Sequence, residues 1–313
     1  KSVNGSEVVT INSPGTNNFN LSCSGDGGNN SASVSVLGYR VFQGAAIDGY
    51  IRGAEIFIDE NNNFENDDEE KNTTTDNNGK FDNLRYNDGN LISFGGFDLD
   101  TGNLMDRLLI LNKLSGHNDF IVITPVTSVA AFMDSPNNIN NALGIDSTID
   151  INVTDPIDKI NDDVIFKYLY EKGNQLTVIA FSLQNSINSY KGTDDSTEDY
   201  FKSISEELEK AFNTESNIID IESEEFLNSV VDNIISNKAS DIDINRSNNI
   251  KSALNSVIPV ISKETKKSFF VQGSLDKLVL KHIEKPGELL NDELIYTSDA
   301  AGYFKEGILV GKV

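Results

Sequence analysis

Ala54-Glu55-Ile56-Phe57-Ile58 runs directly into Asp59-Glu60-Asn61-Asn62-Asn63-Phe64-Glu65-Asn66-Asp67-Asp68-Glu69-Glu70. A short apolar run of β-formers followed by twelve oxygen-rich residues reads as a strand feeding a cation loop. Asp59, Asn61, Asn63, Asp67 and Glu70 stand at positions 1, 3, 5, 9 and 12 of that loop, and Glu65 at position 7 offers its backbone carbonyl. A hard cation such as Ca²⁺, which takes roughly six to eight oxygens at about 2.3–2.6 Å, is served by this alternation. Position 6 holds Phe64 where such loops carry glycine. Because a bulky side chain resists positive φ, the expectation is a loop that turns differently from a helix–loop–helix site. The plain alternative is a solvated, Asn-rich hairpin loop.

Working outward, the residues before the loop are β-like. Glu7–Ile11, Asn18–Ser22 and Ala32–Leu37 cluster or alternate β-formers between Pro-Gly and Gly-Asp-Gly-Gly-Asn-Asn turns. After the loop, Asn78-Gly79 between β-formers predicts a hairpin, and Leu108–Leu111 and Phe120–Thr124 read as further strands. The texture then changes. Thr124 as cap and Pro125 at the first position open a helix to Met133. Asp155 caps an expected helix over Pro156–Ile160, and longer helices are expected over 163–190, 197–212, 223–237 and 246–262. In 197–212, Tyr200, Ile204, Leu208, Ala211 and Phe212 recur at helical spacing, with Glu206, Glu207 and Lys210 on the polar side. Strand texture returns at 269–273, 277–280, 294–296 and 307–310.

The expected fold class is therefore α+β, with β-sandwich-like, strand-rich regions flanking a helical, bundle-like middle. Its segments are an N-terminal β-rich piece (1–45), a calcium-binding β-sandwich-like module (46–124), a helical domain (125–267) and a C-terminal β-rich piece (268–313).

Composition narrows the function. Lys and Arg number 25 against 49 Asp and Glu, a net charge of −24, which disfavours nucleic acid and anionic lipid as partners. Carboxylates at this density suit a medium of divalent cations or high salt, and they also simply confer solubility. Cys23 is the single cysteine, so no internal disulfide is possible, and His117 and His282 are the only histidines, which leaves a zinc site of the usual type without ligands. No apolar run reaches the length of a membrane span. Lys1 opens the chain without methionine or an apolar leader, the expected look of a piece processed or excised from something longer.

No nucleophile elbow, Walker loop or His-Glu-x-x-His motif occurs, and no carboxylate pair stands out from the many present. No catalytic or cofactor-binding residue is assigned. Asp98 and Asp100, among Gly95, Gly96 and Gly102, read either as a tight turn or as ligands of a second cation. Asp194-Asp195 and Asp241-Ile242-Asp243 read as caps and linkers. The Asn-x-Ser/Thr triplets at Asn4, Asn20, Asn29, Asn72, Asn152 and Asn245 are expected by chance in so Asn-rich a chain.

Gly53–Asp59, the loop to Glu70, Thr74–Phe81, Gly95–Gly102 and Ile123–Ser128 follow one another in an order that resembles the calcium-binding β-sandwich modules, each with a helical segment behind it, of large bacterial surface and adhesin-like proteins. The resemblance covers residues 46 to about 190 and implies no catalytic activity. It implies a role in secreted, cell-surface or filamentous assemblies. Separately, the strand-rich ends, each with too few short strands to close a sandwich, are expected to pair either with each other within one chain or head to tail between copies, the second making the chain a subunit that assembles with itself. An adhesin module for a glycan or protein ligand, or a phage tail or fibre protein, is the alternative.

Overall fold

The computed structural model describes residues 8–9, 11, 15–39, 41–85, 89–100, 102, 104–105, 107–113, 120–191, 196–215, 217–264, 270–274, 277–281, 294–296 and 309–312. The architecture is mixed α+β, strands first and six α-helices after them, with short strands again at the C-terminal end.

The strands are β1 (Gly15–Gly25), β2 (Gly28–Gly38), β3 (Val41–Ala46), β4 (Ile51–Arg52), β5 (Glu55–Asp59), β6 (Asn72–Thr74), β7 (Lys80–Arg85), β8 (Asn90–Phe94), β9 (Phe97–Asp98), β10 (Leu108–Leu111) and β11 (Phe120–Ile123). The helices are α1 (Pro125–Ala130), α2 (Ile139–Leu143, entered through a 3-10 turn at Pro136–Asn138), α3 (Val164–Lys191), α4 (Glu198–Glu215), α5 (Glu224–Lys238) and α6 (Ile244–Glu264). Four strands complete the chain: β12 (Phe270–Ser274), β13 (Lys277–Lys281), β14 (Leu294–Tyr296) and β15 (Leu309–Lys312).

Two sheets organise the centre, one ordered β10-β8-β5-β6 and one ordered β11-β3-β7. β5, β10 and β11 are covered on both faces, which is why they read as unbroken apolar runs. Ile56, Ile58, Leu91, Leu109 and Leu111 join Phe42, Phe81, Leu84, Ile121 and Ile123 in the main core. Phe57, Ile92, Leu108 and Ile110 pack on the opposite face of the first sheet, and Ala45, Ile47 and Val122 on that of the second. β3 runs parallel to β11, and a Cβ at Gly44 would meet the Ile121 carbonyl at 2.0 Å, so only glycine fits there.

The main core continues without a break into the helices. Thr124 caps α1 reciprocally with Thr127, and the Thr127 and Ser128 hydroxyls lock the helix to β10: Thr127 Oγ1 donates to the Ile110 carbonyl and the Ile110 N–H donates to Ser128 Oγ, both at 2.8 Å. Every residue of α1 is buried. Tyr200, Ile204 and Leu208 face inward as their spacing predicts. Of the expected polar face, Glu207 is instead buried, ion-paired to Lys210 at 3.1 Å and accepting from Asn233 Nδ2 of α5 at 3.2 Å.

Three local expectations are corrected. Val8, Val9 and Ile11 are not in a strand; the N-terminal strands are β1 and β2, which begin later. Pro156–Ile160 forms turns and not a helix, although Asp155 does accept from the N–H groups of Ile157 and Asp158 at 3.0 Å. Asn78-Gly79 turns the chain, with Gly79 at φ 73°, but β6 and β7 lie in different sheets, so the turn crosses between layers and makes no hairpin. Asp243 caps α6 through the N–H groups of Asn245 and Arg246, whereas Asp194, Asp195, His117 and His282 lie outside the described residues. Among the described residues the two ends do not pair with each other: β1 pairs β2, β12 pairs β13 and β14 pairs β15.

Candidate functional site

The loop of residues 59–70 leaves β5 at the centre of one sheet and returns as its edge strand β6, so both ends are held by the ladder: Phe57 faces Asn72, and the Ile58 N–H donates to the Lys71 carbonyl at 3.0 Å. Asp59 is fully buried at the loop's neck. Its Oδ1 accepts from the Asn63 N–H at 3.2 Å and its Oδ2 from the Phe64 N–H at 3.1 Å. Asn61 Oδ1 accepts from the Asn63 N–H at 3.0 Å, and Asn63 Oδ1 from the Glu65 N–H at 2.9 Å. Asp67 Oδ2 receives the amide groups of Asn61 and Asn63 at 2.7 and 3.0 Å. Glu70, also buried, accepts from the Glu60 N–H at 2.8 Å and the Asp67 N–H at 3.3 Å.

The five expected side chains are thus joined in one network, while Glu65, expected to offer its carbonyl, is exposed and takes part through its N–H. Among the described residues no three Asp, Glu, His or Cys side chains cluster closely enough to hold a metal by themselves. The donor set depends on amide oxygens from Asn61 and Asn63 between the carboxylates. It is all oxygen, as a hard cation requires.

Phe64 overturns the expectation about the turn. It sits at φ 62°, the left-handed conformation a glycine would supply, next to Asn62 at φ 60°. The backbone therefore turns as a glycine-bearing loop does, at a cost of about 1–3 kcal/mol for the strained residue. The Phe64 ring offsets that cost by packing on the cluster of Phe57, Ile92, Leu108 and Ile110, with its centroid 6.1 Å from that of Phe132. Phe64→Ala keeps the strain and loses the ring, whereas Phe64→Gly loses both. Urea denaturation should find Phe64→Ala the less stable of the two by about 1 kcal/mol, the reverse of the usual order of alanine and glycine.

A second polar group gathers where the β-sheets meet α3. Gly49, at φ 68°, lets the chain pass against Asp98; a Cβ there would lie 2.3 Å from Asp98 Oδ1. Asp98 Oδ1 accepts from the Asp100 N–H at 2.8 Å, which is the turn reading of this pair. Tyr170 of α3 donates to Asp100 Oδ2 at 2.7 Å, Thr177 of α3 donates to Asp48 Oδ1 at 2.6 Å, and Tyr50 donates to Asp155 Oδ2 at 2.8 Å. Burial pushes the Asp48 carboxyl up to about 8, with Asp98 and Asp100 adding to the rise and Thr177 and Arg107 opposing it. Burial also raises the Tyr50 and Tyr170 phenols, each beside a carboxylate. The cleft between Asp48, Tyr170 and Asn174 has about 10 Å³ of free space, room for one water and not for a sugar.

Sequence reasoning missed this junction. Asp48 and Thr177 are 129 residues apart, Tyr50 and Asp155 105 apart, and no local spacing links them.

No protein-family model matches the chain, and no curated protein matches it. A search of solved structures finds a partial likeness to the major pilin subunit of Bacillus cereus, at 19% identity with a TM-score of 0.19, over 37% of this chain and 39% of that one. The chain thus spans about two fifths of the pilin's length, and a likeness that loose carries no structural argument. Among the described residues no helix is long and apolar enough to cross a membrane.

Proposed function

We propose that this chain is a non-catalytic structural protein of a secreted or cell-surface assembly, a calcium-stabilised subunit that associates with copies of itself. The observation that carries the reading is the loop network of Asp59, Asn61, Asn63, Asp67 and Glu70, an oxygen-only set strung between a central strand and an edge strand of one sheet. Those side chains, with the Glu65 carbonyl, would hold Ca²⁺. The ion would supply charge neutralisation and a cross-link between β5 and β6, and no chemistry on a substrate.

The working medium follows from the charge. A chain of −24 repels its own copies at low ionic strength, and divalent cations reduce that repulsion. Sedimentation and negative-stain images of concentrated protein should therefore show self-association in millimolar calcium and less of it in chelator. Protein that stays monomeric in both but binds saturably on a glycan array would replace this reading with that of an adhesin.

A further inference from the structure

The hairpin β1–β2 has two unlike faces. Its antiparallel register sets Phe19 opposite Val34, Leu21 opposite Ala32 and Asn17 opposite Val36, and directly opposed residues share a face. One face therefore carries Phe19, Leu21, Cys23, Ala32, Val34 and Val36, with Asn17 and Asn30 beside them. The other is mostly serine and asparagine, and the Ser35 hydroxyl donates to Asn18 Oδ1 across it at 2.6 Å. Much of the apolar face is uncovered: Leu21 is 66% exposed, Val34 56% and Val36 37%, with Phe19 half-buried.

Such alternation marks a sheet with one face meant for burial, and an isolated two-stranded hairpin is marginal in water. Neither strand has the usual protections of an edge, since residues 15–38 contain no lysine or proline and the pairing runs without a bulge.

Charge bears on what covers it. Asp26, in the turn, is the sole charged residue of 15–38, in a chain whose net charge is −24. A basic partner finds nothing to pair with on this face, and an acidic copy of the same chain meets no repulsion there. An uncharged apolar face is also complementary to itself about a two-fold axis, which is the commonest way for identical chains to meet.

We propose that a second copy of this chain covers the apolar face of β1–β2, the two hairpins packing face to face with Phe19, Leu21 and Val34 at the centre. This rests only on the self-association part of the function proposed above, and because the contact is isologous it yields a dimer by itself, with any filament needing a second contact.

The test is analytical ultracentrifugation of the full chain in calcium. Wild-type protein should dimerise, and Leu21→Asp and Val34→Asp should each weaken dimerisation by about tenfold or more. Ser33→Asp, on the polar face, should leave it intact and serves as the control for a charge placed anywhere on the hairpin. Cys23 should react slowly with a thiol reagent in the wild-type dimer and rapidly in Leu21→Asp. Wild-type protein that is monomeric overturns the inference, whether Cys23 is reactive or is shielded by the chain's own segments. So do oligomers that survive Leu21→Asp, although these leave the assembly reading standing. Dimers that never extend to larger assemblies uphold the hairpin contact and remove the filament.

Discussion

Calcium added to chelated protein should raise its melting temperature, and Asp59→Ala should abolish most of that rise. An ion present at about a hundred times its dissociation constant stabilises the folded state by roughly 2.7 kcal/mol, which in a chain of 313 residues corresponds to about 4 °C. Asp59 has a second role that does not depend on the ion. Its buried carboxylate accepts from the Asn63 and Phe64 N–H groups, and the latter bond helps to hold Phe64 in its strained conformation. Asp59→Ala should therefore cost about 2–4 kcal/mol even in chelator, since hydrogen bonds to charged groups contribute roughly 1.5–3 kcal/mol each and neighbouring bonds are not additive. Glu70→Ala should lose the calcium response with a smaller cost in chelator, because one of its two bonds is long at 3.3 Å. Calorimetry separates the two roles. If wild-type protein melts identically in calcium and in chelator while Asp59→Ala still destabilises, the loop is held by hydrogen bonds alone and the calcium assignment is wrong.

Asp48→Asn should stabilise the protein in mild alkali and do so much less in mild acid. The folded chain holds a proton on Asp48 up to about pH 8, whereas in the unfolded chain the carboxyl titrates at the ordinary 3.8. Between those values the folded state binds the extra proton, so stability falls as pH rises and reaches its floor above the folded value. The ceiling is about 1.4 kcal/mol per pH unit, and the residue's partial exposure lowers the real loss to about 2–4 kcal/mol across the window. Asparagine keeps an oxygen for the Thr177 hydroxyl and cannot ionise, so it removes this loss. Urea denaturation of both proteins at about pH 5 and about pH 9 isolates the effect from the general repulsion among carboxylates, which both share. Equal pH dependence in the two would mean that Asp48 is ionised and solvated in the folded chain.

What the sequence determined by itself is local in origin. Thr124-Pro125 marks the start of α1, and Ser223 and Asp243 cap α5 and α6 within two residues of their expected starts, because capping bonds span two or three residues. The same holds for the loop of residues 59–70, whose Asn63, Phe64 and Glu65 N–H bonds reach back only two to five positions. The apolar runs of β5, β10 and β11 announced strands buried on both faces.

What only the tertiary structure decided depends on partners far along the chain. Asn78-Gly79 dictates a turn, but which sheet receives β7 is settled by β3, some 40 residues earlier. Glu7–Ile11 has strand composition, yet a strand needs a ladder partner, and among the described residues none pairs with Val8, Val9 or Ile11. The conformation of Phe64 is not legible in its neighbours, because local sterics set only its cost, while the offsetting ring contact comes from Phe132, far along the chain. Asp48 looks like any other carboxylate in a chain of 49 Asp and Glu until α3 brings Thr177 against it, because desolvation is a property of what surrounds a group and not of the residues beside it in sequence.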